Sequence, residues 1–164
     1  MSFVAEKPEH AAAIEAVLDR AFGPGRYAKT SERVRERGAE AEPTLSRVAL
    51  DEVGAVIGVC RIWRVQAGAP AYFLGPLAVD PAAQSAGVGV ELVRACVAAC
   101  RAAGGAQAIL AVGAEAFFAP LGFGVTAKDR VRLPGPVNTA RVLWLGLRPG
   151  GLDNLAGEIV APRK

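Results

Sequence analysis

Gln84-Ser85-Ala86-Gly87-Val88-Gly89 opens a helical run that continues to Ala103, directly after an apolar segment ending in Leu77-Ala78-Val79-Asp80-Pro81. Glycines at a helix start suit one kind of chemistry. The first turn offers unpaired backbone N–H groups and the positive end of the helix dipole, and without a Cβ a diphosphate can approach them closely. Alone, Gly-x-Gly at this place reads first as a tight turn packing a helix on a strand. Groups able to move protons are few. Tyr72 is the nearest polar side chain on the strand 71–79 and is a weak catalytic candidate, with a core or rim aromatic as the equal alternative. That strand carries no Asp or Glu before Asp80, which reads as a turn residue ahead of Pro81. His10 stands at the start of the first helix and reads as solvated, and Glu115 as a charge favoured at a helix N-terminus. Cys96 and Cys100 lie four apart in an Ala-rich apolar run and Cys60 lies in an apolar strand, so the three read as packed free thiols. With one His and no second Cys cluster, a metal is not expected.

The elements that must position these residues follow from periodicity. Ala11, Ile14, Val17, Leu18 and Ala21 predict an amphipathic helix over 8–22, stopped by Gly23-Pro24-Gly25. A charged stretch, 31–38, predicts a short exposed helix. Segments 45–50 and 55–65 around Asp51-Glu52-Val53-Gly54 predict a hairpin, with a third strand at 71–79. Leu92, Val93, Cys96, Val97 and Cys100 share one face of the long helix, which ends at Gly104-Gly105. Strand 71–79, this helix and an apolar strand at 108–112 form a crossover unit, so the two strands are expected to be parallel. A short helix over 115–121 and strands at 124–133 and 140–147 close a mixed sheet.

The chain has 164 residues, enough for one domain with its own core, and disulfides are not required at this size. Its 52% hydrophobic and 21% charged residues exclude a disordered chain. Lys and Arg number 19 against 16 acidic residues, and the scatter of the basic ones gives little support to nucleic-acid binding. No apolar stretch approaches the ~20 residues that span a bilayer, and the first eight residues lack a signal-peptide core, so a cytoplasmic protein without a membrane partner is expected.

The cradle, read with its surroundings, resembles a known family. Gln84-x-x-Gly87-x-Gly89 after Leu77-Ala78-Val79-Asp80-Pro81 is similar to the acyl-CoA signature of the GCN5-related N-acetyltransferase (GNAT) superfamily, and Phe118-x-x-x-Gly122-Phe123 to its Tyr-x-x-x-Gly-Phe segment. The tail from Leu133 to Gly150 resembles a subgroup of predicted bacterial acetyltransferases. The resemblance implies a single α/β (α+β) domain over 1–164: a mostly antiparallel twisted sheet of about six to seven strands with a splayed parallel pair, flanked by about four helices. It implies that the backbone of Leu77, Ala78 and Val79 pairs with the pantetheine arm of acetyl-CoA. Gln84, Ser85, Ala86, Gly87, Val88, Gly89 and Val90 would hold the pyrophosphate, with Phe118 beside the cofactor. The reaction implied is acetyl transfer from acetyl-CoA to a primary amine of a small molecule, protein or peptide, by direct attack; the alternative is a non-catalytic acyl-CoA-binding or regulatory module. Arg26 and Tyr27 fall where the family has substrate-contacting loop residues. Ala86 stands where the family usually has Arg or Lys, and Phe118 where it has the tyrosine that protonates the departing thiolate. An exposed C-terminal strand would offer an edge for a homodimer.

Overall fold

A computed structural model describes residues 1–84 and 86–163. Helix α1 (Ala11–Phe22) buries Ile14, Val17 and Leu18 at helical spacing and ends where Gly23, at φ 67°, returns its N–H to Asp19 O. The expected first turn, Pro8–His10, is a 3-10 turn instead. Helix α2 (Thr30–Glu36) is short, but its expected exposure needs correcting: Val34 is buried and the Arg35 side chain is only 9% exposed. Helix α3 (Val88–Ala103) begins at Gly87 in the left-handed region, φ 75°, and ends at Gly104, φ 68°. Helix α4 (Glu115–Phe118) continues into a 3-10 turn to Leu121.

The main sheet contains β1 (Ser2–Ala5), β2 (Glu40–Ala41), β3 (Arg47–Leu50), β4 (Val56–Gln66), β5 (Pro70–Val79), β6 (Ala108–Val112), β7 (Gly124–Val125) and β9 (Val142–Gly146). Its order is β1-β3-β4-β5-β6-β9-β7, with β2 also on β4, and β5·β6 is its parallel pair as the crossover unit required. The segment 124–133 is not one strand. A turn at 127–130, with Asp129 at φ 61°, divides it, and β8 (Val131–Arg132) pairs instead with β10 (Gly157–Glu158) in a separate parallel ribbon. The C-terminal strand is also not a fully open edge, since β7 covers Leu143 and Trp144 of β9.

Alternation along the strands divides the core between the two faces. Cys60, Ile62, Tyr72, Leu74, Ile109, Ala111, Leu143 and Leu145 pack under α3. Val48, Val59 and Ala78 pack under α1, while Val65, Phe73, Leu110 and Val142 meet Val34 of α2 and the C-terminal segment. Burying both faces sets the register, because a one-residue slip would turn each strand inside out. Among the described residues no helix is long and apolar enough to cross a membrane.

Candidate functional site

The site is built where two parallel strands part. β5 and β6 pair only at Tyr72↔Ile109, Phe73↔Leu110 and Leu74↔Ala111. Beyond Leu74, β5 carries an extra residue against β4, since Ile62 faces Leu74 but Cys60 faces Leu77. The bulge falls at Gly75-Pro76, and Trp63 Nε1 fastens it by donating to Gly75 O at 2.6 Å. Past the bulge β5 stays on β4 and leaves β6.

Backbone alternation then decides which groups are free. Asp80 N–H donates to Ile57 O, and Ala78 O lies beside Gly58, so residues 78 and 80 turn their backbone groups to β4. Leu77 and Val79 turn theirs to the open edge. Gln84 Nε2 already donates to Val79 O at 3.3 Å. Leu77 N–H, Leu77 C=O and Val79 N–H are left facing the gap.

Near the end of this edge stands the start of α3. Among the described residues no side chain caps it, and the N–H groups of Val88, Gly89 and Val90 lack intrahelical partners. Gly87 holds a positive φ that favours glycine, and a Cβ there would meet nothing within 4 Å. Gly89 lies against Phe117, whose Cζ would be 3.6 Å from a Cβ. Val88 is buried under the helix and offers backbone only; Ala86 is exposed just ahead of it. Ser85 lies outside the described residues. These positions fit an extended, amide-bearing arm and a diphosphate, and among the described residues no side-chain cation joins them.

A cleft of about 610 Å³ opens on the opposite face of the sheet, between α1, α2 and the segment 136–141. It reaches through the parting to Leu74, Gly75, Pro76 and Leu77, and its inner wall is Val112, Gly113 and Phe118. Phe118 is 5% exposed and held edge-on by Phe117 and Phe123, with centroids at 4.9 and 5.2 Å. Gly113 allows that position, because a Cβ on it would stand 2.5 Å from Phe118 Cε2. Arg26 and Tyr27 both line the cleft. Arg26 donates to Glu15 at 2.5 Å and to the Tyr27 hydroxyl, and the Glu15 bond with its charge holds the guanidinium's pKa above its ordinary value.

Tyr72 does not reach this place and is corrected as a site residue. It lies before the parting, 3% exposed in the core under α3, with its hydroxyl against Gly105. Burial raises its pKa. Asp80 is the turn residue it resembled: it accepts from Ala82 N–H at 3.1 Å and from Arg20 at 2.7 Å, and those bonds lower its pKa. His10 Nδ1 accepts from Lys7 N–H on the surface. Cys60, Cys96 and Cys100 are buried free thiols, with Cys96 Sγ 3.5 Å from Cys60 O. Burial pushes the Cys100 pKa to about 12.

The sequence did not single out Glu15, Lys29, Glu32, Arg35, Arg61 or Arg141, all of which line the cleft. They come from four separate segments, and no spacing along the chain marks them as neighbours.

Comparison with known proteins adds a family. The model of the Acetyltransferase (GNAT) family matches residues 11–123. No curated protein sequence matches the chain. Among solved structures, the GNAT family N-acetyltransferase YhbS from Escherichia coli, in complex with CoA, is 26% identical with a TM-score of 0.81, covering 98% of this chain and 89% of that one. A GNAT family acetyltransferase from Brucella melitensis, in complex with acetyl-CoA, is 27% identical with a TM-score of 0.70, covering 98% and 95%. The ribosomal-protein-S18-alanine N-acetyltransferase of Escherichia coli shares the fold, at 17% identity and a TM-score of 0.63 over 89% of this chain and 93% of that one.

Proposed function

Since the chain belongs to the acetyltransferase (GNAT) family, we propose that it is an N-acetyltransferase moving an acetyl group from acetyl-CoA to a primary amine by direct attack in a ternary complex. The observation that carries this reading is the gap between β5 and β6, which opens to both faces of the sheet. One face presents a free strand edge and an uncapped helix start, and the other a cleft for a second substrate. Acetyl-CoA supplies an activated acyl carbon on a sulfur leaving group. Leu77 and Val79 would hold its amide-bearing arm by main-chain hydrogen bonds, as an added strand is held. Gly87, Val88, Gly89 and Val90 would take the diphosphate on backbone N–H groups, with Gln84 and Ser85 beside them. The structures of the Escherichia coli and Brucella relatives, with CoA and acetyl-CoA bound, support this assignment.

The amine enters from the cleft, where its nitrogen meets the acyl carbon at the parting of the strands. A C–N bond forms, the C–S bond breaks, and the nitrogen loses a proton to solvent. Phe118 cannot return a proton to the thiolate, which takes one from water. A general acid is typically worth 10²–10⁴-fold, so turnover is slower than with a tyrosine there. The thiolate leaves unassisted because thiol pKa values lie near 8.5. The proposal includes one acetyltransferase domain over residues 1–164 in the cytoplasm, with the capacity to pair as a homodimer.

Phe118 and the absence of a carboxylate along β5 favour a second reading, an acyl-CoA-binding module without turnover. Free thiol released from acetyl-CoA in the presence of a broad amine panel decides between them. Release that depends on the amine establishes transfer, whereas tight acetyl-CoA binding without release across the panel establishes the module. Failure of acetyl-CoA to raise the melting temperature, in the intact protein as in Gly87→Trp, removes both readings.

A further inference from the structure

The cleft that receives the amine is strongly cationic. Five basic side chains line it, Arg26, Lys29, Arg35, Arg61 and Arg141, against two carboxylates, Glu15 and Glu32. The carboxylates are already engaged. Glu15 binds Arg26 and lies 3.8 Å from Arg61, which also holds Glu6 at 3.0 Å. Glu32 takes both Nε and Nη2 of Arg35, at 3.1 and 2.6 Å. Among the described residues, Lys29 and Arg141 have no carboxylate within 4.0 Å, and Lys29 Nζ rests instead over the Phe22 ring at 3.8 Å. Asn138 fixes the short turn carrying Arg141 by accepting from Ala140 N–H.

Arg35 ties this cluster to the reaction centre. Its side chain is more than nine-tenths buried, and its third nitrogen, Nη1, has no hydrogen-bond partner among the described residues. That atom would lie 3.5 Å from a Cβ on Gly75, at the bulge where the strands part. Lys29, Arg35 and Arg141 interact closely enough that burial and the two neighbouring arginines lower the Lys29 pKa. A bound anion would relieve that repulsion and complete the Nη1 hydrogen bond. The glycines at the α3 start do not line this cleft, so these charges are on the acceptor's side.

We propose that the acceptor is a small amine bearing its own anionic group, a carboxylate or a phosphate, which Lys29, Arg35 and Arg141 hold within a few bonds of the attacking nitrogen. The inference rests on the transferase reading for its chemistry and on the cleft for its ligand. Arg35 and Arg141 supply planar, directed donors to an oxyanion, and Lys29 a mobile charge at the mouth. A simple alkylammonium meets an excess of positive charge there.

Matched probes test this: β-alanine against β-alaninamide, and aminoethyl phosphate against ethanolamine. The intact protein is expected to favour the anionic member of one pair by ~10-fold or more in kcat/KM, as hydrogen bonds to charged groups allow. Whichever pair shows it separates carboxylate from phosphate. Arg141→Gln with Lys29→Gln is expected to bring that preference close to unity while leaving the Kd of acetyl-CoA unchanged. Equal turnover of charged and uncharged probes overturns the inference, and so does a parallel loss of acetyl-CoA affinity in the variant, which would assign the cations to the cofactor. Binding of the same probes without acetyl-CoA, followed by melting temperature, separates the two claims. If no probe releases thiol but an anionic probe stabilises the intact protein and not the variant, the transferase reading fails and the anion site stands. If no anionic probe binds or is preferred, the anion site fails.

Discussion

Gly113→Ala reports directly on the wall of the cleft. The new methyl would stand 2.5 Å from Phe118 Cε2 and 3.1 Å from its Cδ2, well inside van der Waals contact. Phe118 cannot easily withdraw, because Phe117 and Phe123 hold it edge-on at 4.9 and 5.2 Å. Overpacking of this kind costs about 1–3 kcal/mol. For a chain of this length each kcal/mol lowers the melting temperature by roughly 2–4 °C, so a fall of about 2–12 °C is expected in calorimetry. Phe118→Leu removes Cε2 and Cζ and should absorb the added methyl. In a double-mutant cycle measured by denaturant unfolding, the two substitutions should couple by about 1 kcal/mol or more. A Gly113→Ala protein as stable as the parent, or a penalty that persists unchanged in the Phe118→Leu background, would refute the packing described for this wall.

Three further outcomes follow from the same geometry. Gly87→Ala forces a side chain onto φ 75°, which costs about 1–2 kcal/mol; it should lower the melting temperature and shrink the stabilisation by acetyl-CoA, read by calorimetry in its presence and absence. Phe118→Tyr places a hydroxyl beside the gap and is expected to raise kcat for thiol release toward the ~10²-fold lower range of general-acid catalysis; an unchanged or lower kcat in a folded variant would show that the thiolate needs no proton from this position. The folded Cys100 thiol ionises at about 12 against 9.0 when exposed, so the folded protein holds the extra proton between those values; its contribution is complete below pH 9 and is lost as pH rises toward 12, by up to about 4 kcal/mol at 1.36 kcal/mol per pH unit. Denaturant unfolding from pH 8 to 11 should show the decline, and Cys100→Ala a shallower one.

What was legible in the sequence was whatever repeats along it. The 3.6-residue pattern from Leu92 to Cys100, bracketed by glycines that adopt φ near 70°, marks α3 and its glycine start. The crossover rule requires β5 and β6 to be parallel, as they are. Short elements left no such trace. β2 has two residues, and β7 and β8 appeared as one strand because the turn dividing them carries its positive φ on Asp129 rather than on a glycine. Arg35 reads as a solvated charge in a polar helix, and only the folding of α2 over the bulge buries it. The bulge depends on how β5 registers against β4, which is a tertiary fact, as is the grouping of Lys29, Arg35 and Arg141 around one cleft.

If acetyl-CoA adds to the open edge of β5 and the start of α3, amide hydrogen exchange resolved by residue will record it. Saturating acetyl-CoA should slow exchange at the Leu77 and Val79 N–H groups and at Val88, Gly89 and Val90, while Ala78, already bonded to β4, changes little. Unchanged exchange at Leu77 and Val79 under saturating ligand, with protection appearing elsewhere, would contradict it.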